Sequence, residues 1–82
     1  TLGVYPVGSL VRLSNGTLAV VTRQNRHKPL QPEVRVIYDL RQRRYIRPYD
    51  LDLARRLEVP DIVAAESFAR HGIDPRRWTP GV

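Results

Sequence analysis

Residues 5–24, YPVGSLVRLSNGTLAVVTRQ, decide the fold, because two apolar stretches flank the pair Asn15-Gly16. Asn followed by Gly is the strongest short signal for a β-hairpin with a two-residue type I′ turn, since both central residues of that turn need a positive φ. The segment therefore predicts a hairpin whose turn is centred on these two residues.

This turn would assign the two faces of the hairpin by placing Leu13 opposite Leu18 and Leu10 opposite Val21. The face that we expect to be buried carries four apolar residues: Val11, Leu13, Leu18 and Val20. The other face is mixed and is expected to be partly buried: Leu10, Arg12, Ala19 and Val21. One buried and one partly buried face are typical of a strand pair in a small curled barrel.

The rest of the chain predicts three more strands and one helix. Prolines in residues 24–32 indicate a loop, and the alternation of Val34, Val36 and Tyr38 with Arg35 and Ile37 indicates a third strand at 33–39. A fourth strand is expected at 44–47, ended by Pro48, and a fifth at 49–53. The predicted fold is mainly β, a small SH3-like five-stranded antiparallel barrel over residues 8–53 with one C-terminal α-helix.

Residues 54–82 are expected to form that helix, at about 61–71, and a tail. Asp61 is the expected N-cap, and one stripe at helical spacing is apolar: Ile62, Ala65, Phe68 and Ala69. Gly72 fits the left-handed residue that ends a helix, after which Ile73 would fold back onto Phe68. We expect Trp78 to cover the barrel, and residues 1–7 to be a linker.

Size and composition narrow the class of protein. Eighty-two residues make one domain that buries roughly 60% of the surface of its unfolded chain. The sequence has no cysteine, so disulfides and thiolate metal sites are excluded. No apolar run approaches the ~20 residues of a membrane helix, and no signal peptide is evident, so we expect a cytoplasmic protein without membrane contact. The start at Thr1, without Met, suggests a piece of a longer protein.

The net charge of +6 is concentrated in one segment. Residues 23–47 contain eight basic residues and two acidic ones, and the rest of the chain is neutral. Such a segment is either a solvated exterior or a surface for phosphates or an acidic partner. The candidate anion- or partner-binding residues are Arg23, Arg26, Lys28, Arg41, Arg43 and Arg44.

Residues with catalytic or metal-binding chemistry are sparse. His27 and His71 have no carboxylates at metal-site spacing, and we interpret them as a loop residue and a helix C-terminal residue. Asp50 and Asp52 are expected to accept hydrogen bonds from turns or to pair with arginines. We therefore expect no catalytic, cofactor-binding or metal-binding residue and no cofactor in this chain. Whether the chain belongs to an enzyme is left open by these residues.

Nucleotide or nucleic-acid binding is the alternative that the residues leave open. Small barrels bind single strands by combining a basic groove with aromatic rings, and Tyr38, Tyr45 and Tyr49 lie in or beside the basic segment. One observation argues against nucleic-acid binding: Tyr38 is expected on the core side of its strand, where its ring would not be free to stack on a base.

The stretches GVYPVGSLVRLSNGTLAVVTRQN, PLQPEVRVIYD and YDLDLA resemble the segment that follows the catalytic domain in bacterial HD-GYP-type metal-dependent phosphohydrolases. The resemblance covers residues 3–53 and is most specific at residues 5–8, 10–13 and 15–16. It implies a parent phosphodiesterase that hydrolyses cyclic di-GMP at a multi-metal centre in bacterial second-messenger signalling. Thr17 stands where that group usually has an acid.

None of the catalytic residues of that group is carried by this chain. The motifs are an adjacent His-Asp pair and a Gly-Tyr-Pro triplet, where this sequence has His27-Lys28, His71-Gly72 and Val4-Tyr5-Pro6. What the resemblance implies is a non-catalytic accessory, regulatory or interaction domain, C-terminal to the enzyme. Its expected partner is the catalytic domain of the parent protein, and a homo-oligomer is a further possibility.

Overall fold

The computed structural model describes residues 5–55 and 58–78. They form five strands: β1 (Leu10–Leu13), β2 (Thr17–Arg23), β3 (Glu33–Asp39), β4 (Arg44–Asp52) and β5 (Ile62–Glu66). Two short 3-10 turns follow, Ala69–His71 and Pro75–Arg77. Residues 1–4 of the expected linker and 79–82 of the expected tail lie outside the described residues.

All five strands pair antiparallel in one sheet of order β4-β3-β2-β1-β5. Residues of both outer strands, Ile46 and Leu51 of β4 and Ile62 of β5, pack against the same buried cluster. The sheet must therefore curl to bring its two edges to a common centre. The predicted fold class, mainly β with five antiparallel strands in a small barrel, is confirmed.

The hairpin forms where predicted, but its register differs by one residue. Leu10 faces Val20 and Arg12 faces Leu18. Gly16 has a φ of +84°, and its N–H donates to the carbonyl of Leu13 at 3.0 Å. A type I′ turn would also need a positive φ at Asn15. Among the described residues, a positive φ outside glycine is found at Arg43 and not at Asn15. The turn has three residues, 14–16, with a left-handed glycine last.

This slip changes which residues share a face, because side chains alternate along a strand. A first cluster fills the inside of the curled sheet: Val11, Leu13, Ala19, Val21, Val34, Val36 and Leu53. A second cluster lies on the other face: Leu10, Leu18, Val20, Ile37 and Ile73. The predicted grouping of Val11 and Leu13 with Leu18 and Val20 is therefore wrong, and both faces of the hairpin are buried.

Against β2, Val36 pairs with Ala19 and Tyr38 with Leu18, so Ile37 is an extra residue that forms a bulge in β3. As a result Tyr38 packs beside Ile37 at the second cluster instead of beside Val34 and Val36. A bulge re-aims the side chains that follow it, and the simple alternation expected for Tyr38 is wrong for that reason.

β4 continues through Pro48, so the fourth and fifth predicted strands are one strand. Pro48 is tolerated because β4 lies at the edge of the sheet and residues 46–48 have no register partner on β3. The fifth strand is supplied by residues that were expected to be helical.

Residues 62–66 form β5 and not the first turns of an α-helix. β1 would otherwise present a free edge, and the apolar run that begins at Ile62 satisfies that edge by pairing with it. Asp61 is not an N-cap. Its N–H donates to Oγ of Ser14 at 3.1 Å, and its carbonyl accepts the N–H of Ser14 at 2.8 Å, which ties β5 to the hairpin turn.

The segment after β5 covers the second cluster. Gly72 is left-handed, with a φ of +67°, and Ile73 donates its N–H to the carbonyl of Phe68 at 3.0 Å, as predicted. Phe68 and Trp78 pack against this cluster, and Trp78 stacks on Tyr45 with 6.1 Å between ring centroids. The predicted intramolecular cover by Trp78 is confirmed, although 3-10 turns carry it in place of an α-helix.

Candidate interaction surface

The six predicted binding cations fall into two separate groups. Arg23 ends β2, and Arg26 and Lys28 lie in the loop 24–32, which leads into β3. The other three lie at or beyond the opposite end of β3: Arg41, Arg43 and Arg44. The seven residues of β3 span about 20 Å. We call the two sets the loop cations and the turn cations, and their ability to bind an anion stays a prediction.

Neither group is neutralised within the part of the chain that the structure describes. The ion pairs found there use other cations, namely Arg12, Arg35, Arg55, His71 and Arg76. The side chains of the loop and turn cations are exposed. Both groups therefore present positive charge that is available to a partner.

The turn cations sit on a tightly folded connection between β3 and β4. Oδ1 of Asp39 accepts the N–H of Arg41 at 2.8 Å and that of Gln42 at 3.3 Å. Arg43 completes the turn with a φ of +53°. The neighbouring Gly16 lies under the side chain of Arg41, because a Cβ at Gly16 would be 3.1 Å from Nε of Arg41.

A row of aromatic rings lies beside the turn cations. The Tyr38 and Tyr45 rings meet edge to face at 5.2 Å, Tyr45 stacks on Trp78, and the guanidinium of Arg77 is 5.7 Å from the centre of the Trp78 ring. Tyr45 remains 45% exposed. These rings cover the second cluster, so their contacts to one another are part of the fold.

The loop cations sit on a loop that is held by Asn25. Nδ2 of Asn25 donates to the carbonyl of Gln31 at 2.6 Å and to Oδ1 of Asp52 at 3.1 Å. Inside the loop, Gln31 donates its N–H to the carbonyl of Lys28 at 2.9 Å. Pro32 is buried at the end of the loop. Hydrogen bonds within the loop and to β4 thus hold residues 25–32 in one conformation.

A groove of about 520 Å³ lies between this loop and the start of β5. Most of its surface is apolar. The groove is lined by three apolar and three polar residues: Pro29, Leu30, Ile62, Lys28, Gln31 and Asp61. Leu30 is 58% exposed, the highest value among the exposed large apolar side chains of the described residues. The sequence prediction missed Leu30 and Asn25, because it took residues 24–32 for a polar connection.

The acidic residues pair as the sequence predicts. Oδ1 of Asp50 accepts a hydrogen bond from Nε of Arg35 at 2.9 Å. Asp52 accepts from Asn25 and from the N–H of Ala54, and its other oxygen is 3.5 Å from Nε of Arg55. These contacts give both carboxylates a structural role. The Asp50 contact also raises the pKa of Arg35, through its hydrogen bond and its charge.

The two predicted histidine roles have different outcomes. His71 ends a 3-10 turn, and its Nε2 lies 3.0 Å from Oε1 of Glu66. Oε2 of Glu66 lies 3.5 Å from the guanidinium of Arg12, and the Glu66 side chain is 7% exposed. His71 therefore ends a 3-10 turn instead of the expected α-helix, and its ring also contacts the Glu66 carboxylate. His27 is exposed in the loop 24–32, in agreement with its interpretation.

Within residues 5–55 and 58–78, His, Asp and Glu form no group of three or more that could hold a metal ion. In the same part of the chain, no helix is long and apolar enough to cross a membrane.

Residues 10–69 match a family described as the KOW domain associated with HD domain. The chain belongs to this family. It is also 40% identical over 81 residues to a cyclic di-GMP phosphodiesterase of Pseudomonas aeruginosa, a match that covers 95% of the chain and 19% of the relative. The chain thus spans about a fifth of that relative's length. No solved structure matches.

These matches confirm the resemblance, seen in the sequence, to the accessory segment of HD-GYP-type phosphohydrolases. The matched region spans β1 to β5 and reaches the first 3-10 turn. It therefore contains the curled sheet, the loop cations, the turn cations and the groove. The loop cations, the turn cations and the groove therefore belong to the matched region, whereas Trp78 and Arg77 lie beyond it.

Proposed function

We propose that this KOW domain is a non-catalytic interaction module of an HD-GYP-type, metal-dependent phosphohydrolase that acts on cyclic di-GMP. Its role is to pack on the catalytic domain of the same protein or to join two copies of that protein. The proposal is supported by the family's association with HD domains and by the cyclic di-GMP phosphodiesterase that shares 40% of its residues.

The observation that carries the proposal is the filling of both faces of the hairpin. The first cluster occupies the inside of the curled sheet, and the C-terminal segment covers the second cluster. The apolar side chains on both faces of the hairpin are thus buried within the domain and stabilise its own fold. A function must then use the outer surface, which combines the apolar groove with cations that have no ion pair within the described residues.

Removal of the domain from the full-length parent tests the proposal. We expect the truncated protein to differ from the intact one in oligomeric state, thermal stability or turnover of cyclic di-GMP. Its bound metal should stay unchanged, because none of the family's catalytic motifs lies in this chain. Light scattering, calorimetry, metal analysis and a hydrolysis assay on matched samples report these quantities. Unchanged oligomeric state, stability and turnover together would contradict the proposal.

A second candidate is binding of a nucleotide or single-stranded nucleic acid at the turn cations. It is favoured by three exposed arginines without an ion pair among the described residues, next to the half-exposed ring of Tyr45. The separation of the turn cations from the loop cations weighs against one continuous basic track. A titration of the chain with cyclic di-GMP and with an oligonucleotide distinguishes this candidate from the first.

A further inference from the structure

The groove between the loop 24–32 and β5 has properties that the fold itself does not require. Its apolar wall is formed by Pro29, Leu30 and Ile62, and Leu30 projects into solvent at 58% exposure. A single exposed leucine is common on protein surfaces, but Leu30 joins Pro29 and Ile62 in one apolar patch, and contiguous patches of this kind mark contact surfaces. The groove is therefore a candidate contact surface.

The groove is also preorganised. The two hydrogen bonds donated by Asn25 close the loop against Gln31 and against Asp52 at the end of β4. The carbonyl of the buried Pro32 accepts the N–H of Leu53 at 3.3 Å, which fastens the end of the loop to the first cluster. A partner that binds here has little loop entropy to remove, which favours a stable contact.

Tyr5 lies beside the start of this loop. Tyr5 packs against the first cluster, and its carbonyl accepts a hydrogen bond from Nε2 of Gln24 at 3.0 Å. Gln24 is the first residue of the loop 24–32. The first described residue of the chain is therefore tied to the loop that forms one side of the groove.

The charges around the groove indicate the chemistry of the partner. Lys28 lines the groove, and Arg26 is exposed two residues earlier in the same loop. A matching surface carries an apolar side chain for the wall and carboxylates for these cations. A polyanion fits less well, because the groove lining contains one cation, Lys28, and one carboxylate, Asp61, and half of its residues are apolar.

We propose that this groove is the docking site for the HD domain of the same polypeptide, which contributes an apolar side chain rimmed by carboxylates. The inference rests on the proposed function and specifies where that contact is made. Four fifths of the cyclic di-GMP phosphodiesterase relative lies outside the matched region, and Tyr5 is held at the start of the loop 24–32. An HD domain on the same chain has a high effective concentration at this site, so a groove of modest size suffices.

Site-specific photo-cross-linking in the full-length parent tests the docking site. A benzoylphenylalanine residue replaces Leu30, and the control protein carries it at Gln42, which is exposed in the turn at the other end of β3. We expect the Leu30 position to cross-link to a peptide of the HD domain in the same molecule, and Gln42 to give none. Cross-links from Leu30 to a second copy of the protein, or to nucleic acid, would overturn the proposal. The absence of any cross-link from Leu30 would do so as well.

Charge reversal adds a test that leaves the fold intact. Lys28→Glu places a carboxylate opposite the expected acidic rim and should lower the yield of the Leu30 cross-link several-fold. Gln42→Glu makes a change of one charge at a distant exposed position and should leave the yield unchanged. Equal yields in the Lys28→Glu and Gln42→Glu proteins would contradict the charge complementarity on which the docking site is argued.

Failure of the docking site and failure of the proposed function give different results. If deletion of the whole domain alters oligomeric state, stability or turnover while Leu30 gives no cross-link to the HD domain, the module role stands and the groove is the wrong surface. If deletion alters none of these, the proposed function itself fails.

Discussion

Oε1 of Glu66 lies 3.0 Å from Nε2 of His71, and this contact fastens the end of β5 to the turn that leads the chain back over the second cluster. Oε2 of the same carboxylate lies 3.5 Å from the guanidinium of Arg12 on the adjacent β1. Glu66 thus links three parts of the fold, namely strand β1, strand β5 and the C-terminal segment that covers the second cluster.

Glu66 makes the stability of the domain depend on pH. The hydrogen bond from His71 holds the pKa of Glu66 below its ordinary value of 4.5, and the charges of His71, Arg12 and Arg70 act in the same direction, whereas burial opposes them. A carboxyl with a depressed pKa in the folded state stabilises the fold above its unfolded pKa, and this contribution is lost as the pH falls through the folded value. We therefore expect the free energy of unfolding to decrease below pH 4.5.

Glu66→Gln checks this assignment, because glutamine keeps the shape of the side chain and does not titrate. The variant should be less stable than the wild type at neutral pH, and the difference should shrink as the pH falls below 4.5. Urea denaturation at a series of pH values measures it. Glu58→Gln is the matched control, because it makes the same chemical change at an exposed residue that has no ion pair within residues 5–55 and 58–78. A constant difference between Glu66→Gln and wild type across this range would contradict the role of Glu66.

Gly16 is required for the backbone conformation of the hairpin turn. Its φ of +84° is one that a side chain disfavours, and a Cβ would lie 3.1 Å from Nε of Arg41. Gly16→Ala should lower the free energy of unfolding by about 1–2 kcal/mol from the left-handed conformation alone. The arginine side chain can move away, so the contact should add little.

Gly72→Ala separates these two contributions. Gly72 has a similar φ of +67°, but a Cβ there meets nothing within 4 Å. The two alanine variants should therefore lose similar amounts of stability in urea denaturation. A much larger loss in Gly16→Ala that disappears in an Arg41→Ala background would show that the contact with Arg41, and not the turn conformation, dominates.

The hairpin shows how far the sequence determines the fold. Its position and its apolar strands follow from the Asn15-Gly16 pair, but this pair fits both a two-residue turn with two left-handed residues and a three-residue turn with Gly16 alone left-handed. The contacts of the whole sheet decide between them, since the carbonyl of Gly16 accepts the N–H of Leu40 at 2.9 Å. No local pattern contains that information, and the faces were misassigned for this reason.

Residues 62–66 were misassigned for a related reason. An apolar run of four residues from Ile62 to Ala65 satisfies helical spacing and strand alternation equally well. The free edge of β1 decides in favour of a strand, which is a tertiary effect. The same holds for the candidate interaction surface. Its cations can be identified in the sequence, whereas the role of Asn25 depends on a hydrogen bond to Asp52, 27 positions away.

Ile73 should contribute a large share of the domain's stability. It is 3% exposed and belongs to the second cluster, although it lies in a segment without regular strand or helix. Ile73→Ala should lower the free energy of unfolding by about 2–5 kcal/mol, as expected for a buried isoleucine. Val63→Ala is the control, because Val63 is 51% exposed and should change stability little. Equal effects of the two variants would show that the C-terminal segment does not cover the second cluster in solution.

The turn cations and loop cations should bind anions weakly and without a defined site. Each phosphate contact releases counterions, so a purely electrostatic interaction weakens steeply with salt. In an NMR titration with a short single-stranded oligonucleotide, we expect small shifts spread over both groups at low salt and their loss at moderate salt. Cyclic di-GMP should give no saturable shift at either. Localised shifts at residues 41–45 that saturate and persist at moderate salt would favour the nucleotide-binding candidate. In that case Arg43→Gln and Arg44→Gln should abolish them, whereas Arg26→Gln on the distant loop should not.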